Sequence, residues 1–194
     1  MKQVTRLFDL LDVYREKFPG LKNAFNFLEN GVWKSYSAAD YISISNQLSL
    51  GLLAMGINRG VKVATVMVNS PAFNFFDMGL LQVGAVQVPI YPTISEDNYR
   101  YILNDAEVEY LVVSNNDIYQ RIQGILDKIP TLRGIYSIEK IEGIRNWKEI
   151  LEMGRSFPEP EKLEQIKIKS KGLLERNFDR KMIIDTISQE LFHI

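Results

Sequence analysis

The chain has 194 residues, 46% of them hydrophobic and 24% charged, with a formal net charge of −1. That is the composition of a folded globular chain with a real core, and it argues against global disorder and against any whole-molecule attraction to nucleic acid or an anionic membrane. With no cysteine, a disulfide scaffold, thiolate zinc sites and cysteine catalysis are excluded, and a cytoplasmic location is expected; histidine chemistry would depend on His193 alone.

The N-terminal MKQVTRLFDLLD carries acidic residues inside its apolar stretch, so it does not read as a signal peptide. Leu7, Leu11, Tyr14 and Phe18 recur at helical spacing and predict an amphipathic helix over 5–18, ended by Pro19-Gly20. Two aromatic-rich runs, Asn23 to Leu28 and Val32 to Tyr36, flank Asn30-Gly31. This is a hairpin signal, because a type I′ turn needs positive φ at both central residues. Ser37 followed by Asp40 resembles a capping box with Asp in place of Glu. The helix it opens presents Tyr41, Ile44, Leu48 and Leu52 on one face, and Gly56 suits its end.

The centre of the chain is VKVATVMVNSPAFNFFDMGLLQVGAVQVPIYP, residues 61–92. Val63 to Val68 reads as a strand buried on both faces. Ser70 suits the N-cap of the next helix and Pro71 its first position. Ala72 to Val83 is apolar nearly all round, which predicts a helix with no face in water, although Asn74 and Asp77 interrupt it and it is too short to span a membrane. Gly84 suits the stop, and Ala85 to Ile90 reads as a second buried strand. The expectation is a βαβ unit with parallel strands and a right-handed crossover.

Ser95 caps a predicted helix with Tyr99, Ile102, Leu103 and Ala106 inward. Tyr110 to Ser114 is a strand, and Ser114 to Asp117 opens a helix that buries Ile118, Ile122, Ile125, Leu126 and Ile129 before Pro130. A short strand over Gly134 to Ile138 and a short helix over Asn146 to Met153 follow. The class is therefore α/β, a parallel sheet with helices on both faces preceded by a β-hairpin. Residues 1–154 form this section, 155–170 read as a charged linker, and 171–194 return to an amphipathic pattern with Leu174, Phe178, Met182, Ile183 and Ile187.

Chemistry is sparse. There is no G-x-G-x-x-G. Gly79 and Gly84 have the spacing of a phosphate loop, but Ala85-Val86 follow where Lys-Ser or Lys-Thr is needed. Close helix packing at Gly79 and a helix stop at Gly84 explain both. Asp77 is either a buried acid with a raised pKa or the one solvent-touching position of its helix. Met55, Met67 and Met78 are core candidates, and the mixed lysine-glutamate cluster near 159–169 is a solvated face.

Several segments in this order are similar to the start of AMP-forming acyl-CoA synthetases, in the long-chain fatty-acid–CoA ligase branch. Trp33-Lys34-Ser35-Tyr36-Ser37 resembles the early "W…TY" strand and helix start, and Gly84 to Pro92 resembles the G-A-V-x-V-P-x-Y stretch. The resemblance runs from about Thr5 to about Lys169. It implies the partial N-terminal domain of that fold. It also implies a two-step reaction, in which a fatty acid and Mg-ATP give an acyl-adenylate and coenzyme A then displaces AMP. ATP, magnesium and coenzyme A are the cofactors of the full-length family. None is expected for this chain, which lacks the family's Ser/Thr/Gly-rich loop ending in Pro-Lys-Gly, its Tyr-Gly-x-Thr-Glu segment, its ribose-binding Asp and its catalytic lysine. The resemblance places the loop Tyr91-Pro92-Thr93 near the coenzyme A tunnel; the alternative is that the prolines only fix a turn. The reading is an inactive N-terminal fragment with no nucleic-acid partner, no transmembrane segment and a homodimeric state. The alternatives are a free-standing α/β interaction module that self-associates through its tail and an unfamiliar nucleotide-binding domain.

Overall fold

The computed structural model describes residues 4–29 and 31–177. They fall into two compact units divided after Pro158. The first unit opens with a 3-10 turn, Leu7–Asp9, leading into α1, Leu10–Lys17. The Asp9 carboxylate accepts hydrogen bonds from the backbone N–H of Thr5 and of Arg6 at 3.1 and 2.9 Å, and from the Arg6 guanidinium at 2.6 Å. Leu11 is buried as its spacing predicts, but Leu7 and Phe18 are 60% and 50% exposed. They sit at the two ends of the periodic stretch, where the chain is a 3-10 turn and an irregular exit instead of one continuous helix.

β1, Phe25–Glu29, and β2, Val32–Tyr36, form the antiparallel hairpin, with Glu29 opposite Val32. That register leaves a two-residue turn, and Gly31 adopts φ of +76°, as the Asn-Gly signal requires; Asn30 lies outside the described residues. Ser37 opens α2, Ala38–Ala54, with a complete capping box: the Asp40 N–H donates to Ser37 Oγ, and Ser37 N–H returns to Asp40 Oδ2 at 2.9 Å. Gly56, at φ of +79°, ends the helix, and Ile57 N–H reaches back to the Leu52 carbonyl.

The central sheet has strand order β4-β3-β5-β6-β7, every neighbouring pair parallel. Its strands are β3 (Lys62–Val66), β4 (Val86–Ile90), β5 (Tyr110–Val113), β6 (Gly134–Ser137) and β7 (Arg145–Asn146). The helices between them are α3 (Pro71–Val83), α4 (Glu96–Asp105) and α5 (Asn116–Ile122), with α6 (Trp147–Arg155) after the last strand. On one face Ala64, Val66, Leu111 and Val113 pack with Tyr99, Leu103, Ile118 and Ile122. The pleat turns Val63, Thr65 and Val112 to the other face, where they are buried as well.

In and around the sheet the structure departs from the sequence reading in four places. β4 is an edge strand, not a doubly buried one, and Val86 is 46% exposed. Pro89 sits within it, as edge strands tolerate. Ser70 is the N-cap of α3, but its side chain caps nothing, and the Phe73 N–H bonds to the Ser70 carbonyl at 3.1 Å. The helix expected to run to Ile129 is α5 followed by a 3-10 stretch, Gln123–Lys128. The short β7, Arg145–Asn146, extends the sheet where only a helix start was read.

In the second unit, α7 spans Glu161–Asn177, so much of the segment read as a charged linker is helical. The ion pairs Glu159–Lys162 and Glu164–Lys167 in this unit follow i, i+3 spacing. Phe178, Met182, Ile183, Ile187 and His193 lie outside the described residues.

Candidate functional site

The strand order dictates where a site can form. β3 is followed by α3 to β4 on one side, and the chain then returns past β3 to place β5 on the other. β3 and β5 are therefore the neighbours from which the sheet runs in opposite directions, and the crevice beyond their carboxyl ends is where open parallel sheets bind ligands. An open cleft of about 1410 Å³ lies there.

Its floor is built by the strand ends. Ser114, 4% exposed, joins β3 to β5: its N–H donates to the Val66 carbonyl at 3.1 Å, and its Oγ accepts from the Val68 N–H at 3.2 Å. Asn69, Ser70 and Pro71 bring the start of α3 to the same place. The far wall is the segment from Ile138 to the start of α6. Asn146 holds it, its Nδ2 donating to the Ile138 carbonyl at 3.1 Å while its Oδ1 accepts from the Lys148 N–H at 3.1 Å. Glu149 completes the cap by accepting from the Asn146 N–H at 2.9 Å.

The near wall is the hairpin. Phe27 and Tyr36 stack with ring centroids 5.4 Å apart. Tyr36 also meets Phe75 edge-on at 5.1 Å, and Phe75 lies parallel to Trp147 at 6.3 Å. This aromatic chain ties β2, α3 and α6 together under the cleft. Burial, with the Glu29 carboxylate adding to it, pushes the Tyr36 hydroxyl above its usual range, so it stays protonated.

The glycines with phosphate-loop spacing have structural roles. Gly79 lies in the middle of α3, where an added Cβ would stand 2.9 Å from Leu48 Cδ2, and its carbonyl accepts from Ser49 Oγ at 3.1 Å. Gly84 ends the helix at φ of +76°. Asp77 is half-buried on α3, and burial raises its carboxyl above the usual range; it does not line the cleft. Met67 and Met78 are core residues.

Tyr91, Pro92 and Thr93 follow the edge strand β4 and are not part of the cleft lining. Tyr91 is 81% exposed, and its carbonyl accepts from the Tyr99 hydroxyl at 3.1 Å. The cleft residues were visible in the sequence as hairpin and helix-cap residues. Their meeting at one place was not, because it depends on strand order. The polar side chains lining the cleft include Ser70, Ser114, Asn146 and Glu149.

A family model described as AMP-binding enzyme matches residues 13–167. The long-chain-fatty-acid–CoA ligase ACSBG1 of Rattus norvegicus is 27% identical over 157 residues, covering 78% of this chain and 21% of the relative. The long-chain-fatty-acid–CoA ligase FadD15 of Mycobacterium tuberculosis is 28% identical over 111 residues, covering 57% of this chain and 18% of the relative. Among solved structures, the long-chain-fatty-acid-CoA ligase FadD1 from Archaeoglobus fulgidus superposes with a TM-score of 0.66 at 24% identity, covering 77% of this chain and 30% of that one. The anthranilate CoA ligase AuaEII in complex with anthranoyl-AMP gives 0.63 at 20% identity, over 76% and 27%. The chain spans about a fifth of the length of the curated relatives it matches.

Proposed function

The chain belongs to the AMP-binding enzyme family, and on that premise we propose that it is the opening section of a long-chain fatty-acid–CoA ligase and inactive by itself. The observation that carries this reading is the joint match in sequence and fold, which runs through the hairpin, the βαβ unit and the sheet and ends near residue 167. In the whole enzyme the reaction would join a fatty acid to coenzyme A at the expense of ATP, with magnesium, and the loop Tyr91-Pro92-Thr93 would border the coenzyme A tunnel.

The described residues do not by themselves fit a Mg-ATP site. Both glycine pairs with phosphate-loop spacing, Gly51 with Gly56 and Gly79 with Gly84, are taken up by helix packing and helix termination. Among the described residues no cluster of three or more acidic or histidine side chains is placed to hold a metal ion. No step of the reaction is therefore assigned to these residues. The supported role is structural: to supply the start of the parallel sheet and the cleft at its carboxyl edge.

The chain's location is proposed as cytoplasmic; among the described residues no helix is long and apolar enough to cross a membrane. Self-association is proposed through residues 171–194, whose apolar pattern supports it. Light scattering of the full chain and of a chain ending at Ser170 tests that part: loss of a dimer on truncation supports it, and a monomer in both cases removes it. Calorimetry with ATP, a non-hydrolysable acyl-adenylate analogue and coenzyme A tests the reading itself. No saturable heat is expected; tight ATP binding would favour a self-sufficient nucleotide-binding domain.

A further inference from the structure

Where α2 packs on α3, Ser45 and Ser49, one turn apart on α2, meet Gly79 and the long side chain of Gln82. Ser45 and Ser49 have no solvent exposure, and Gln82 has 1%. The Gln82 amide lies against this turn of α2. Its Nε2 donates to Ser49 Oγ at 3.0 Å and reaches the Ser45 carbonyl at 3.5 Å. Two buried atoms of the cluster, Ser45 Oγ and Gln82 Oε1, have no hydrogen-bond partner. Buried polar atoms of folded proteins are bonded in all but a few cases, so these two call for a partner.

The neighbouring side chains cannot supply it. Ser49 has one hydroxyl proton, shared between the Ser45 carbonyl at 2.9 Å and the Gly79 carbonyl at 3.1 Å, and its oxygen already accepts from Gln82. Turning the Gln82 amide over only exchanges one orphan for another: its oxygen would face Ser49, and its N–H donors would take the unpartnered place. The missing partner is small, because the residues around it are closed to solvent. It is uncharged, because the cluster consists of hydroxyls, carbonyls and one amide, whose N–H groups point at the same oxygens that a cation would need. It both gives and takes hydrogen bonds, since Gln82 Oε1 only accepts and the Ser45 hydroxyl has a proton to donate.

We propose that this crossing is a binding site for one internal water molecule, which donates to Gln82 Oε1 and accepts from the Ser45 hydroxyl, bridging α3 to α2. Buried waters typically hold such otherwise unsatisfied groups together. The water leaves only when the two helices part, so its residence time reports local opening at this crossing. The site lies within the first unit and does not depend on the ligase reading.

Oxygen-17 relaxation dispersion of the solvent counts long-lived internal waters in the full chain. The parent should hold about one more than Gln82→Met, which keeps the length of the side chain without its amide, and about one more than Ser45→Ala. Each variant is compared at matched far-UV circular dichroism, and Ser45→Ala, a small change at a helical position, serves if Gln82→Met does not fold. Equal counts in the parent and the folded variants overturn the proposal. So does a count that changes when choline chloride replaces potassium chloride at equal ionic strength, which would make the occupant a cation. A crystal structure in which Ser45 Oγ bonds directly to Gln82 Oε1, with no solvent peak between α2 and α3, would overturn it as well.

Discussion

Gly51 on α2 and Gly154 on α6 meet where the two helices cross, and neither position has room for a side chain. A Cβ built on Gly154 would stand 1.9 Å from the Gln47 carbonyl oxygen and 2.9 Å from the Gly51 backbone nitrogen. A Cβ on Gly51 would stand 1.9 Å from the Ile150 carbonyl oxygen. The contact is backbone against backbone, so no rotamer change relieves it. Isolated helices gain about 1 kcal/mol when glycine becomes alanine. Here Gly51→Ala and Gly154→Ala should each lose roughly 2–4 kcal/mol, because the helices must separate. Chemical denaturation reads the sign directly, and a stabilised Gly154→Ala would mean that the helices do not cross this closely.

The hairpin turn gives a milder prediction. Gly31 has φ of +76° and open space where a Cβ would project, so a substitution there pays in backbone strain alone. Gly31→Val should cost roughly 1–3 kcal/mol, while Gly31→Asn, which tolerates positive φ, should cost little. Equal midpoints for the valine variant and the parent would show that the turn is built differently.

Asp9 makes acid stability testable. Burial alone would raise its carboxyl, but the Arg6 guanidinium and the Thr5 and Arg6 backbone N–H groups outweigh it and bring it from 3.8 to about 2. The folded state thus binds this proton more weakly than the unfolded chain. The contribution, about 2 kcal/mol, is complete above about pH 4 and is lost as the pH falls through 2. Asp9→Asn should remove that part of the slope between pH 4 and 2; an unchanged slope would mean that the network around Asp9 does not hold in solution.

The local elements were readable because each rests on neighbours in sequence. The Ser37 and Asp40 cap, the Asn30-Gly31 hairpin and the Gly56 and Gly84 stops are all decided within a few residues. The standing of β4 was not read, although Pro89 signals an edge strand. Ser70 misled for a different reason: a residue type suited to an N-cap need not turn its side chain toward the helix. The close crossing of Gly51 and Gly154 depends on residues about a hundred positions apart, as does the cleft that gathers Trp33, Ser114 and Trp147. Only the sheet order brings those together, and that order is a tertiary property.

We propose that this chain is a ligase's opening section and makes no acyl-adenylate by itself. Adenylate formation depends on charge stabilisation and positioning of the phosphates, and among the described residues no acidic or histidine cluster is placed to hold the metal ion that supplies them. The direct measurement is fatty-acid-dependent ATP–pyrophosphate exchange with the purified 194-residue chain, magnesium and palmitate. The account predicts exchange at the level of a protein-free control. Exchange that scales with protein, persists through repurification and requires the fatty acid would contradict it.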